Sequence, residues 1–231
     1  MVVVVAVGGR LLWQAARSRP HFAVQDVQVV GTQTITPADV RELAGVTIGA
    51  STWDVDLQAV RERVLRHPWV ANARVRRSLP STLIVTVREH RPIAAIRVDD
   101  ASYAVDRRGG IFAPLTAEAS EQLPEISGVP AADLTVKAPS TASAIRQTTA
   151  LIRILSRHRR VAKAHIDSVG VTVHAAALPA VPIHFGWGDW KQKRKRLNRV
   201  LEVWSGRESH LEEVDLAFGG QVVVRLQGGV G

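Results

Sequence analysis

The sequence predicts an α+β protein: a small β-α-α-β-β domain, then an extended, mostly antiparallel β domain with flanking helices, behind an apolar amino-terminal segment. Three observations lead there. Apolar residues recur with period two in some stretches and at helical spacing in others, and the two patterns interleave along the chain. Proline and glycine punctuate the changes of pattern, and Arg91-Pro92 divides two stretches that each carry their own apolar faces. The 231 residues, 46% hydrophobic and 22% charged, supply enough apolar surface for two small cores and exclude a disordered chain.

The first segment, Val2 to Ala16, reads VVVVAVGGRLLWQAA, almost wholly apolar and interrupted by Arg10. As a helix it spans about 22 Å, short of the roughly 30 Å hydrocarbon core of a bilayer. A secretory signal peptide carries its basic residues ahead of the apolar stretch, whereas Arg10, Arg17 and Arg19 lie inside or after this one. The expectation is the distal part of a transmembrane anchor, residues 1–19, whose beginning and cytoplasmic tail precede the given chain. A buried or frayed amphipathic helix is the other reading of the same residues.

Residues 22–92 form the first domain. Val24 to Val30 alternates as a strand and stops at Gly31. Thr36-Pro37 opens a helix, with Thr36 as N-cap, Pro37 at the first helical position and Asp39 at the third. Val40, Leu43 and Ala44 supply its apolar stripe, and Gly45 ends it. A second helix starts near Asp56, places Leu57, Val60 and Val64 on one face, and stops at His67-Pro68. Two strands follow, Trp69 to Arg77 and Thr82 to His90, joined by Ser78-Leu79-Pro80-Ser81. In the second, Leu83, Val85 and Val87 face one way and Ile84, Thr86 and Arg88 the other. The result is a small sheet with both helices on one face.

Residues 93–227 form the second domain, with 228–231 as a short tail. Tyr103 to Asp106 and Ile111 to Pro114 read as a hairpin turning on Arg107-Arg108-Gly109-Gly110. The stretch Thr116 to Lys137 mixes polarity with three breakers and reads as irregular. Ser140 to His158 is a helix whose apolar face carries Ala144, Ile145, Ile152 and Leu155. Strands follow at His165 to His174 and Val181 to Trp187, around a loop at Leu178-Pro179. Asp189 caps a helix that runs to Trp204, with Trp190, Leu197, Val200, Leu201 and Trp204 on one face. A hairpin, Glu213 to Phe218 and Gln221 to Leu226, closes the chain across Gly219-Gly220. There is no internal repeat.

Thirty Lys and Arg against 21 Asp and Glu leave a net charge of +9, which attracts nucleic acid, anionic lipid or an acidic protein partner. The basic residues are spread over the whole length, with one tight run from Lys191 to Arg196. A solvated surface accounts for most of them. Both tryptophans near the run, Trp190 and Trp204, sit on the apolar stripe instead of alternating with the cations, so the stacking platform of a nucleic-acid binder is missing. The absence of cysteine excludes disulfides, thiolate metal sites and a Cys nucleophile. Phosphate-binding loops, dinucleotide-binding glycines, H-E-x-x-H and G-x-S-x-G are absent. His165, His174 and His184 fall in or beside strands without metal-ligand spacing, and Asp99-Asp100 and Glu212-Glu213 are adjacent pairs that diverge. No catalytic residue, cofactor, metal or small-molecule substrate is expected, and the protein reads as a binding module and not an enzyme.

Three collinear stretches then carry a family resemblance over about residues 22 to 227. HPWVANARVRRSLPSTLIVTVREHRPIA, from His67 to Ala94, resembles the POTRA domain of the FtsQ/DivIB family of bacterial cell-division proteins. Pro68, Trp69, Val70, Val75, Arg76, Arg77, Leu79, Pro80, Leu83, Glu89 and Pro92 fill the places of that motif. YAVDRRGGIFAP resembles the hairpin opening the family's β domain. The segment from Ile183 through Lys195 to Arg199 to the closing VDLAFGGQVVVRL resembles its carboxy-terminal third. The final strand departs from the family: Phe218 and Leu226 stand where Tyr and Trp are often seen, which keeps apolar surface but removes a hydroxyl and an indole donor.

The resemblance implies a bitopic protein of the inner membrane, its bulk extracytoplasmic at the division septum, that recruits the FtsB–FtsL pair in support of septal peptidoglycan synthesis. It implies two contact surfaces. Lys195, Arg196 and Arg199 on the basic helix would salt-bridge an acidic partner segment. Phe218, Gly220, Gln221, Val222, Val223, Val224 and Leu226 belong to the closing hairpin, whose last strand, Gln221 to Leu226, is short and apolar. At a sheet edge its unpaired N–H and C=O groups would accept a strand of FtsB. Two other classes share features with this chain. A POTRA protein of outer-membrane assembly or transport would add repeated POTRA units and a barrel of amphipathic strands. A basic nucleic-acid-binding protein would concentrate its charge on one element and show steep salt dependence.

Overall fold

The computed structural model describes residues 22–136, 138–156, 160–176 and 178–227. The chain divides into two compact units between His90 and Arg91. The expected anchor over residues 1–19 and the expected tail over 228–231 lie outside the described residues. Among the described residues no helix is long and apolar enough to cross a membrane.

The first unit runs β1 (Asp26–Val30), α1 (Pro37–Ala44), α2 (Leu57–Leu65), β2 (Val70–Ser78), β3 (Thr82–Glu89). β3 lies in the middle of its sheet, parallel to β1 and antiparallel to β2. The alternation in β3 is decisive here: Leu83, Val85 and Val87 are buried against Val40, Val60 and Val64 of the two helices. Thr36 and Asp39 close a capping box, each side chain accepting the other residue's backbone N–H at 3.2 Å. Two motif residues turn out to be braces. The Arg77 guanidinium donates to the carbonyls of Thr52, Trp53 and Val55, tying down the loop ahead of α2. The Glu89 carboxylate accepts the backbone N–H groups of Gln33, Thr34 and Ile35 beyond β1. Partial burial raises the Glu89 pKa, but those amide bonds outweigh it and hold the carboxyl below the usual glutamate range.

The second unit is one nine-stranded sheet in the order β12-β11-β10-β9-β8-β7-β4-β5-β6. Its strands are β4 (Pro92–Val98), β5 (Ala101–Asp106), β6 (Ile111–Leu115), β7 (Glu125–Ser127), β8 (Val161–Ile166), β9 (Val171–Ala175), β10 (Leu178–His184), β11 (Leu211–Asp215) and β12 (Val223–Leu226). Antiparallel pairings predominate, with β7 parallel to both neighbours and β10 parallel to β11. The helices are α3 (Ala117–Glu121), α4 (Ala131–Thr135), α5 (Pro139–Leu155) and α6 (Trp190–Val203). α5 packs on β8 and β4 and touches α6. One continuous core includes Ile96, Ile126, Ile145, Ile152, Phe185, Leu197 and Leu216.

Several expected boundaries move, each for a local reason. The single strand from His165 to His174 is two strands, because Asp167 Oδ1 accepts the N–H groups of Val169 and Gly170 and folds the chain back between β8 and β9. The supposedly irregular stretch from Thr116 to Lys137 holds α3, β7 and α4. β7 has three residues, too few to show a period, yet it sits between β4 and β8 with Ile126 fully buried. The hinge at Pro92 is the first residue of β4, a strand that the proline disguised. β10 ends at His184, three residues before the expected Trp187, and Gly186 follows at φ 57. Asp189 precedes α6 at φ 51 with no side-chain cap bond, because the left-handed backbone turns its carboxylate away from the first helical amides.

Candidate functional site

Among the described residues the sheet ends at β12, which hydrogen-bonds to β11 alone. Its outer N–H and C=O groups therefore line an open edge. The strand is short and carries one charge, Arg225, and no proline. Val222 and Val224 turn inward and pack on the core, while Phe218, Val223 and Leu226 are 57%, 50% and 41% exposed. Exposure thus divides the expected contact residues into an anchoring set, Val222 and Val224, and a presented set, Phe218 in the turn with Val223 and Leu226 on the strand.

Polar side chains hold this strand in register. Arg225 Nη1 lies 2.5 Å from Glu213 Oε2 on β11, directly opposite. Glu213 Oε1 lies 3.2 Å from His184 Nε2 on β10. The other ring nitrogen of His184 is 2.8 Å from the hydroxyl of Thr172 on β9. A polar row so crosses four strands and finishes at the edge. The two carboxylates of the pair Glu212-Glu213 do part company, and Glu213 is the one built into the row. Among the described residues no group of three His, Asp or Glu side chains could hold a metal ion.

The basic helix α6 uses its cations in two ways. Lys193 is 4% exposed and belongs to the buried face with Leu197 and Leu201. Its Nζ donates to the carbonyls of Phe185 at 2.6 Å and Trp187 at 2.9 Å, and lies 5.4 Å from the ring centroid of Trp190. Desolvation, with the Arg196 charge adding to it, pulls the Lys193 pKa below the ordinary lysine value against the attraction of Asp189 and Asp215. Arg196 Nη1 donates to Phe218 O at 3.0 Å and Gln221 O at 2.9 Å, so its guanidinium staples the β11–β12 turn to the helix. Arg196, expected to reach a partner's carboxylate, is bonded within its own chain. Lys191, Lys195 and Arg199 are exposed and leave a basic stripe beside the turn.

The structure thus brings Arg196 together with Phe218 and Gln221, sets Lys195 and Arg199 on the helix that carries it, and lays Val223 to Leu226 along the edge, with Val222 just ahead of it. Gly220 lies in the turn at φ 82, a backbone conformation suited to glycine. Lys193 escaped the sequence reading because the run KQKRKR looks uniformly charged. Its spacing of three from Trp190 and four from Leu197 was the signal that it shares their face.

Residues 22–90 match a family model described as "POTRA domain, FtsQ-type". Over nearly its whole length the chain is similar to the cell division protein FtsQ of Salinibacter ruber, at 31% identity over 98% of this chain and 90% of the relative. It is similar to FtsQ of Geotalea daltonii at 28% identity, over 97% of this chain and 83% of that protein. FtsQ of Syntrophotalea carbinolica is 28% identical over 99% of this chain and 82% of the relative.

Proposed function

The chain belongs to the FtsQ family of cell division proteins and carries a POTRA domain of the FtsQ type, and on that premise we propose that it is a non-enzymatic divisome adaptor. In this reading the amino-terminal segment anchors it in the inner membrane, single-pass, and both folded units lie outside the cytoplasm at the septum. The unit from residue 93 to 227 recruits an FtsB–FtsL type pair, and other proteins of the assembly carry out septal peptidoglycan synthesis.

The observation that carries the reading is the open edge of β12, with Val223 and Leu226 exposed on the strand and Phe218 exposed in the turn before it. A partner strand would extend the sheet through main-chain hydrogen bonds and draw selectivity from those three side chains. Lys195 and Arg199 would pair with carboxylates flanking the partner strand, and Arg196 would act from behind by fixing the turn from Phe218 to Gln221. The test is binding of the full chain to the extracytoplasmic segment of its FtsB-type partner, by co-purification and titration. Saturable binding that proline in β12 removes supports the reading. Undiminished binding by a folded proline variant contradicts it.

A further inference from the structure

The opposite end of the same sheet carries a cleft of about 890 Å³. The β4–β5 turn, the β5–β6 turn, α4 and the first half of α5 enclose it, far along the strand order from β12. Its apolar lining includes Val98, Tyr103, Ile111, Leu134 and Ile145. Among the described residues that line it, the charged ones are Asp99, Asp100 and Asp133. In a chain with 30 basic and 21 acidic residues, an apolar cleft whose described charged lining is acidic runs against the average surface.

The walls are fixed before any ligand arrives. Asp99 and Asp100 form the two-residue turn between Val98 and Ala101, with Asp99 at φ 50. Asp106 Oδ1 accepts the N–H groups of Arg108 and Gly110 and holds the next turn. In that turn Gly109, at φ 81, lies so close to α5 that a Cβ there would stand 2.7 Å from Arg146 Cα. Thr141 Oγ1 donates to Asp133 Oδ2 at 2.7 Å and ties α4 to α5. Val136, just past α4, is 73% exposed and adds apolar surface nearby.

We propose that this cleft is a second docking site, which takes a short polypeptide segment presenting an apolar side chain flanked by Lys or Arg. The argument is charge complementarity on an apolar floor. Removing an aliphatic side chain from water into the cleft gives affinity, and carboxylates around it favour flanking cations and repel acidic segments. The same carboxylates disfavour anionic lipid and nucleic acid. The cleft is separate from β12 and does not depend on what binds there, so the molecule would engage two chemically opposite segments at once.

Tyr103 lines the cleft and is the only tyrosine in the chain, which gives a direct reporter. The full chain would be produced with 3-fluorotyrosine and held in non-ionic detergent, where it shows one ¹⁹F resonance. The probe is an acetylated, amidated hexapeptide of alternating Lys and Leu, with a Glu-Leu peptide as control. The expected result is a saturable shift with the Lys-Leu peptide only. Affinity falls about tenfold in Asp99→Asn/Asp100→Asn, a change compatible with the left-handed backbone at Asp99. It is lost in Ala142→Trp, which fills the cleft, and is retained in Val223→Pro. The inference is overturned by the absence of a saturable shift, by equal affinity for the Glu-Leu peptide, or by indifference to both cleft variants. A resonance that moves with protein concentration alone also overturns it, in favour of a second copy of this chain.

Discussion

The two ends of the nine-stranded sheet meet solvent differently. At one end β12 presents a short edge without proline, its exposed side chains apolar but for Arg225, beside the Lys191, Lys195 and Arg199 stripe. At the other end β6 carries Pro114, which cannot donate to an added strand, and the turns around it enclose carboxylates and an apolar hollow. One edge invites backbone pairing. The other resists it and offers a side-chain cleft instead. The contrast teaches that an unpaired strand is no site by itself: residue choice along the edge decides whether the sheet can be extended.

The largest expected effect tests whether the two ends share one foundation. Phe185 is fully buried in the core that runs from Ala94 to Leu216. Phe185→Ala should destabilise the second unit by about 4 kcal/mol in denaturant titrations, and binding at both ends should fail together. Proline at Val223 or at Val224 should break only one end. Adjacent residues of a strand point their N–H groups to opposite sides, so one of the two removes an amide facing the partner without touching β11. We expect about a hundredfold loss of partner affinity for that variant, with the ¹⁹F signal of Tyr103 unchanged.

Smaller changes separate the two uses of the basic helix. Arg196→Gln removes the staple to Phe218 and Gln221 and should weaken partner binding about tenfold. Because those bonds are internal, the fold-loss should stay nearly constant as salt rises. Lys195→Glu/Arg199→Glu should cost only a few-fold at low ionic strength, about what exposed ion pairs contribute, and the difference should fade in high salt. A titration of both across salt concentrations checks the pair of claims.

The first unit supplies a control with a pH sign of its own. The Glu89 pKa is lowered on folding, so the unfolded state binds the proton more readily. The stability this carboxylate contributes is therefore complete above the ordinary glutamate range and is lost as pH falls through the folded value. Glu89→Gln should lower the melting temperature of the first unit at neutral pH and flatten its decline in acid. Neither effect should reach the Tyr103 resonance.

The same physics explains what the sequence made legible. The alternation Leu83, Val85, Val87 and the box Thr36, Asp39 are short-range patterns, and the structure contains both as expected. β4 and β7 left no comparable trace: one opens on a proline, and the other has three residues whose place depends on distant strands. The closing strand was visible as an apolar run, but that it is an edge follows from strand order, which local pattern does not encode. Lys193 and Arg196 looked like surface charge because their partners are backbone carbonyls of other segments. The acidic cleft was hidden for the same reason, as Asp99, Asp100 and Asp133 are brought together only by the packing of hairpin on helix.

Amide hydrogen exchange on the full chain, with and without the extracytoplasmic segment of the proposed FtsB-type partner, tests the central claim most directly. The account predicts new protection across residues 223–226 and no change across residues 111–115. Protection confined to β6, or partner binding that leaves β12 exchanging as before, would contradict it.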